Sequence, residues 1–151
     1  MITIRAASAA DAAAVVHVFH RARSDSMPWL PIVHTPDEDL AFFAGLISAG
    51  ATVVAEVDGQ VVGFVCTEPG WVTQLYVDPD HQGLGVGTAL LATTADWPSV
   101  QLWTFADNRR ARDFYSRRGF VEVEWTDGSG NEERWPDVRL VRKSPGALWD
   151  R

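Results

Sequence analysis

Apolar and polar positions alternate along this chain with two distinct periods, and each period marks a kind of element. Ile2-Thr3-Ile4 alternates with period two and predicts a strand. Ser8-Ala9-Ala10-Asp11 has the spacing of a capping box, and Val15, Val18, Phe19 and Ala22 follow on one helical face, so an amphipathic helix is expected over about 9–23. The segment 24–34 breaks the periodicity with Met27-Pro28-Trp29-Leu30-Pro31-Ile32. Two prolines exclude a regular helix, yet the stretch is apolar for a loop, so it covers something: the edge of the core or one wall of a pocket. Thr35-Pro36-Asp37-Glu38 is a second capping box with Pro at the first helical position, and Leu40, Phe43, Ala44 and Ile47 form the expected buried stripe.

From Gly50 onward the period changes. Residues 51–57, the Asp58-Gly59 turn and residues 60–67 predict a hairpin, and Pro69-Gly70 turns the chain into a further strand, Trp71 to Val77. Beyond it lie a helix at about 85–96, a strand at 100–105, a helix at 108–118 and a strand at 120–126. A polar loop, 127–131, precedes a last strand at about 134–142. The residues 143–151, with Pro145-Gly146, are expected to form a C-terminal tail. No internal repeat or linker interrupts the chain, which predicts one domain over 1–142.

Composition narrows the function classes. The 151 residues are 46% hydrophobic, enough for one core, and no apolar run approaches the roughly 20 residues of a membrane span. Met1 to Arg5 is strand-like rather than a charged leader, so a cytoplasmic location without membrane partners is the default expectation. The single cysteine, Cys66, lies in an apolar strand and is expected in the core rather than as a nucleophile. A formal charge of −7, with 20 acids against 13 Lys and Arg, argues against nucleic acid as a partner and suits a cationic amine. Arg109, Arg110, Arg112, Arg117 and Arg118 nevertheless crowd one helix, either as a solvated face or as counter-charge for a phosphate ligand. His17 and His20 share a helical face without a third ligand nearby, and no metal site is expected.

The strand Leu75-Tyr76-Val77 runs through Asp78-Pro79-Asp80 into Gln82-Gly83-Leu84-Gly85-Val86-Gly87-Thr88 and a helix. A glycine-rich turn at a helix start brings unpartnered backbone N–H groups close to an anion, which suits a pyrophosphate. A plain tight connection and a dinucleotide fold compete with that reading. The dinucleotide pattern would need glycine where Thr88 stands and an earlier turn, and no G-K-[ST] of a P-loop is present.

Gln82-x-x-Gly85-x-Gly87 resembles the acyl-CoA pyrophosphate motif of the GNAT superfamily of N-acetyltransferases. Asn108-Arg109-Arg110-Ala111-Arg112-Asp113-Phe114-Tyr115, followed by Gly119-Phe120, resembles the second motif of that family. The resemblance covers about residues 50–125 and implies an α/β (α+β) GNAT fold. That fold is a mixed, mostly antiparallel sheet of about seven strands with four helices, splayed between the fourth and fifth strands. It further implies direct transfer of an acetyl group from acetyl-CoA, as co-substrate, to a primary amine, whether a small molecule or a peptide. Resemblance places the pyrophosphate on the main chain of Gln82, Gly83, Gly85, Val86, Gly87 and Thr88, and the pantetheine arm along Leu75, Tyr76 and Val77. It makes Tyr115 the acid that protonates the leaving thiolate, and Asn108 a helix cap, a cofactor contact, or both. Trp29, His34 and Gln74 are the expected acceptor contacts. The fourth strand, Trp71-Val72-Thr73-Gln74-Leu75, lacks the acid or histidine that many members use as base, which leaves Glu68, His34 or Glu56 through water. It also leaves an alternative, a catalytically silent acyl-CoA-binding domain. The family often forms homodimers; the acceptor, donor chain length and oligomeric state stay open.

Overall fold

The computed structural model describes residues 1–144. Strand β1 (Ile2–Ala6) leads through a 3-10 turn (Ala9–Asp11) into α1 (Ala12–Ser26), then α2 (Pro36–Ser48) and the strands β2 (Thr52–Val57), β3 (Gln60–Glu68) and β4 (Trp71–Val77). A 3-10 turn (Pro79–His81) precedes α3 (Val86–Leu91), and a second (Ala92–Thr94) follows it. Strand β5 (Ser99–Phe105), α4 (Arg109–Ser116), β6 (Val121–Thr126) and β7 (Asp137–Lys143) complete the order. The seven strands form one mixed sheet in the order β1-β2-β3-β4-β5-β7-β6, antiparallel except at β4 and β5. This is the fold class expected from the sequence.

The period of two in β2 and β3 sorts side chains to two cores. Val54, Phe64 and Cys66 face α1 and α2, where Val15, Val18, Phe19, Phe43 and Ile47 meet them. Ala55 and Val65 face the other side, where Val86 and Leu90 of α3 and Tyr115 at the end of α4 pack with Val100, Leu102, Val138 and Leu140. Gly63 sits under α3: a Cβ there would lie 2.9 Å from Val86 Cγ1 and 3.1 Å from Leu90 Cδ1. A side chain on this residue of β3 would hold the helix off the sheet.

The sheet opens where β4 and β5 meet. Their pairing is confined to Trp71 opposite Gln101, with the Gln101 N–H donating to Gly70 O at 2.9 Å. Beyond it the parallel strands part. Asp78 N–H donates to Val62 O on the β3 side, so strand alternation turns the N–H of Val77 toward the opening.

Several element ends differ from the sequence expectation. Helix α1 continues to Ser26, because nothing before Met27, the residue preceding Pro28, opposes a helix. The buried stripe of α2 narrows to Phe43 and Ile47, while Leu40 and Ala44 are exposed, because only one edge of the helix meets the sheet. Helix α3 gives way to the 3-10 turn at Ala92. Strand β7 starts at Asp137 rather than near Arg134, since Arg134 has a φ of 56° and Pro136 carries no N–H. Lys143, expected to begin the tail, closes β7, and Ser144 N–H donates to Pro98 O. The rest of the expected tail, 145–151, lies outside the described residues.

Candidate active site

A cleft of about 450 Å³ enters the sheet on the α3 side of the opening. Leu75, Tyr76 and Val77 form its inner wall; Gln82, Gly83, Gly85, Val86, Gly87 and Thr88 form its rim; Asn108 and Tyr115 close it from α4. Every residue assigned from the sequence to cofactor binding therefore lines one cleft. The rim bends sharply, with φ of 78° at Gly83 and 88° at Gly85, and only the glycine backbone adopts such values without strain. Gly85 precedes α3, so the N–H groups of Val86, Gly87 and Thr88 have no acceptor within the helix. The Gln82 side-chain amide donates to Val77 O at 3.1 Å and ties the rim to the end of β4.

Phe114, to which no role was assigned from the sequence, and Arg118, one of the arginines expected as a solvated face or as phosphate counter-charge, also line this cleft. Phe114 packs its ring against Gly87, where a Cβ would approach it to 3.1 Å. Arg118 stacks on the same ring, 3.8 Å from its centroid, and donates from Nε and Nη2 to Thr88 Oγ1 at 3.0 and 2.7 Å. Arg110 and Arg117 also line the cleft, whereas Arg112 turns away to pair with Glu122 and stack on Trp125. The spacing of the glycines signalled the turn, but the helix that guards it is brought there by the sheet.

Tyr115 is buried between Phe114 and Phe120, and burial pushes its phenol well above the ordinary value. Tyr76, on the same opening, is pushed up to about 12, chiefly by burial, with Glu133 adding to the rise and Arg23 opposing it. Both phenols therefore keep their protons at neutral pH. Asn108 Oδ1 accepts from the N–H of Ala111 and caps α4 while lining the cleft.

On the opposite face of the sheet lies a second cavity of about 1180 Å³, bounded by Phe42 on α2, Gln74 and Tyr76 on β4, Trp103 and Phe105 on β5, and Asp137 on β7. A small space of about 90 Å³ between β4 and β5, lined by Gln74, Leu75, Tyr76, Trp103, Asn108 and Tyr115, shares lining residues with both cavities. Tyr76 borders all three.

The acceptor contacts expected from the sequence divide. Gln74 and His34 line the second cavity. Trp29 instead stacks on Trp135, 5.3 Å between centroids, because the β6–β7 connection offers it an aromatic partner. His34 Nε2 bonds Glu132 Oε2 at 2.6 Å, and Arg23 faces Glu133 at 3.8 Å, so α1 and the connection after it are tied to the β6–β7 connection over the cavity. Glu132 holds the His34 imidazole above its ordinary pKa.

The expectation of Glu68 as base is corrected. It is exposed at the end of β3, beside the turn to β4, and borders neither cavity. Glu56 accepts from Arg5 at the β1–β2 edge and is equally remote. Glu133, 16% exposed, lines the second cavity together with Tyr76; in sequence its hairpin, with Glu132 and Asp137, reads either as negative charge near the acceptor or as a solvated turn. Cys66 is fully buried; burial pushes its thiol up to about 11, and Thr52 Oγ1 lies 3.3 Å away, so it belongs to the core.

A family model described as an acetyltransferase (GNAT) domain matches residues 48–122. An uncharacterized N-acetyltransferase of Archaeoglobus fulgidus is 30% identical over 110 residues, which cover 60% of this chain and 74% of the relative. Another, of Methanocaldococcus jannaschii, is 35% identical over 92 residues, half of this chain but only 41% of the relative's length. Among solved structures, the PaiA N-acetyltransferase of Thermoplasma acidophilum in complex with coenzyme A superposes with a TM-score of 0.73. The match covers 95% of this chain and 99% of that one at 18% identity, a likeness of fold.

Proposed function

Because the chain belongs to the GNAT superfamily of acetyltransferases, we propose that residues 1–142 form one catalytic unit that transfers an acetyl group from acetyl-CoA to a primary amine. The observation that carries this reading is the opening between β4 and β5, which lies between a glycine-rimmed cleft on one face and a carboxylate-lined cavity on the other. An acyl donor and an acceptor thus reach the same gap from opposite sides.

Acetyl-CoA supplies an activated thioester carbonyl, and the remaining work falls to the chain. The main-chain N–H groups of Val86, Gly87 and Thr88 hold the pyrophosphate. The N–H of Val77, turned to the opening, donates to the thioester oxygen and stabilises the negative charge that builds there. Glu133 takes the proton of the incoming ammonium, so that the amine attacks with a free electron pair as the C–N bond forms and the C–S bond breaks. Tyr115 gives its proton to the departing sulfur, and the second proton lost by the amine nitrogen restores the phenol.

These roles are tested by following CoA thiol release in Tyr115→Phe and Glu133→Gln. Tyr115→Phe lowers kcat on the order of 100-fold or more with acetyl-CoA affinity retained, and Glu133→Gln moves the rise of kcat/KM to higher pH. Unchanged turnover in Tyr115→Phe removes the acid. A protein that binds acetyl-CoA but releases no thiol with any amine is the silent binding domain.

A further inference from the structure

The second cavity is more specific about its occupant than the fold requires. Glu38, Asp39, Glu124, Glu132, Glu133 and Asp137 line it, against Arg23 and His34. Most of these acids have a basic partner: Asp39 bonds His20 at 2.7 Å, Glu124 bonds Arg139 at 2.9 Å, and Glu132 and Glu133 meet His34 and Arg23. Asp137 differs. Among the described residues it receives only neutral donors, the Thr126 hydroxyl on Oδ1 and Asn131 Nδ2 on Oδ2 at 3.1 Å. A half-buried carboxylate with no countercharge favours a cation next to it.

Its place in the sheet sets the distance. Asp137 opens β7, which is separated from the opening by β5 alone. One paired strand spacing separates β7 from β5 and the wider gap lies beyond it, so Asp137 stands on the order of 10 Å from the middle of the opening. Trp103 and Phe105 of β5 line the interval and give an aliphatic chain an apolar bed. The stack of Trp29 on Trp135 and the bond between His34 and Glu132 tie the α1–α2 and β6–β7 connections together at the rim of this cavity.

We infer that the acceptor is a small linear diamine: one amine enters the opening to be acetylated while a second, still protonated, rests at Asp137 on the order of 10 Å away. The inference rests on the acetyltransferase reading above. The site itself follows from the opening and its cavity; the carboxylates decide the charge of the occupant and its length.

The test compares diaminoheptane, whose nitrogens are separated by a comparable span, with heptylamine and with the short diaminopropane. Thiol release measures kcat/KM at low and high salt. Heptylamine presents the same reacting group, so the chemistry cancels from the ratio. The expected result is a preference for diaminoheptane over heptylamine of about tenfold or more at low salt, shrinking as salt rises. Diaminopropane, too short to reach Asp137, shows no such preference. Asp137→Asn brings the ratio toward one, and a retained thermal shift with acetyl-CoA shows that this variant is folded.

Equal kcat/KM for diaminoheptane and heptylamine overturns the inference, as does faster acetylation of a lysine-containing peptide. If none of the amines is acetylated while acetyl-CoA still raises the melting temperature, the diamine inference falls and the cofactor reading stands. If acetyl-CoA produces no shift, the cofactor reading falls and takes the inference with it.

Discussion

Asp11 shows how much a single carboxylate can join. It accepts from Arg5 at 2.8 and 2.9 Å and from the Ser8 N–H at 2.7 Å, while Arg5 also donates to Glu56. One cluster thus ties β1, the start of α1 and β2. The Arg5 guanidinium holds the Asp11 carboxyl well below the usual carboxylate range. A lowered acid contributes stability that is complete above its unfolded value, near ~4, and is lost as pH falls through the folded value. Asp11→Asn should therefore cost about 1–2 kcal/mol at pH 7, a figure reduced for the partial exposure of Arg5. The cost should shrink steadily below about pH 4, and urea melts at several pH values measure it. A constant deficit across pH would mean that shape rather than charge matters at Asp11. The sequence marked Asp11 as a capping residue, because its bond to Ser8 is local; its bond to Arg5 depends on where β1 lies. The same limit applies to the proposed base. Glu68 stood near the fourth strand in sequence, whereas Glu133 comes to line the same cavity as Tyr76 only through the placing of β6 and β7 beyond β5.

Among the elements, α3 is the one on which the cofactor cleft depends, and its height above the sheet is set from below. Gly63→Ala places a methyl group 2.9 Å from Val86 Cγ1, a contact that α3 relieves by lifting. The expected outcome is a loss of about 1–3 kcal/mol in thermal or denaturant melts, with a weaker affinity for acetyl-CoA as the rim shifts. Wild-type stability together with wild-type affinity would show that α3 tolerates the methyl group. Strands, helices and their order were legible because period two and the helical period survive in local sequence, and the Asp58-Gly59 turn has φ of 51° and 76° as its residues suggest. Gly63 carried no such signal. A glycine inside a strand announces a close approach, but only the packed structure names what approaches. Burial departed from the sequence pattern where tertiary contact decides it, as in α2, whose exposed Leu40 and Phe42 look apolar in sequence but meet no core.

At the scale of the whole molecule, the fold brings eleven scattered residues to one cleft and leaves the sheet open between β4 and β5. Thermal unfolding with and without acetyl-CoA, with NADH as control, tests this directly. At about 100 times its Kd a ligand that binds only the folded state adds about 2.7 kcal/mol, or roughly 5–10 °C for a chain of this size. A shift with acetyl-CoA alone supports the cofactor reading, and a shift with NADH alone assigns the glycine turn to a dinucleotide. No helix among the described residues is long and apolar enough to cross a membrane. The parting of β4 from β5 has one more consequence, for the protein while it waits for its donor. Beyond Trp71 and Gln101, each of these strands exposes one row of backbone donors and acceptors, as an outer strand of a sheet does, but in its middle. Such a row is a template for any extended chain, including that of a misfolded neighbour. A pantetheine arm lying between the strands would shield it, so a cell short of acetyl-CoA would hold a stickier population of this protein, and the donor would act as its solubilising agent as well as its reagent.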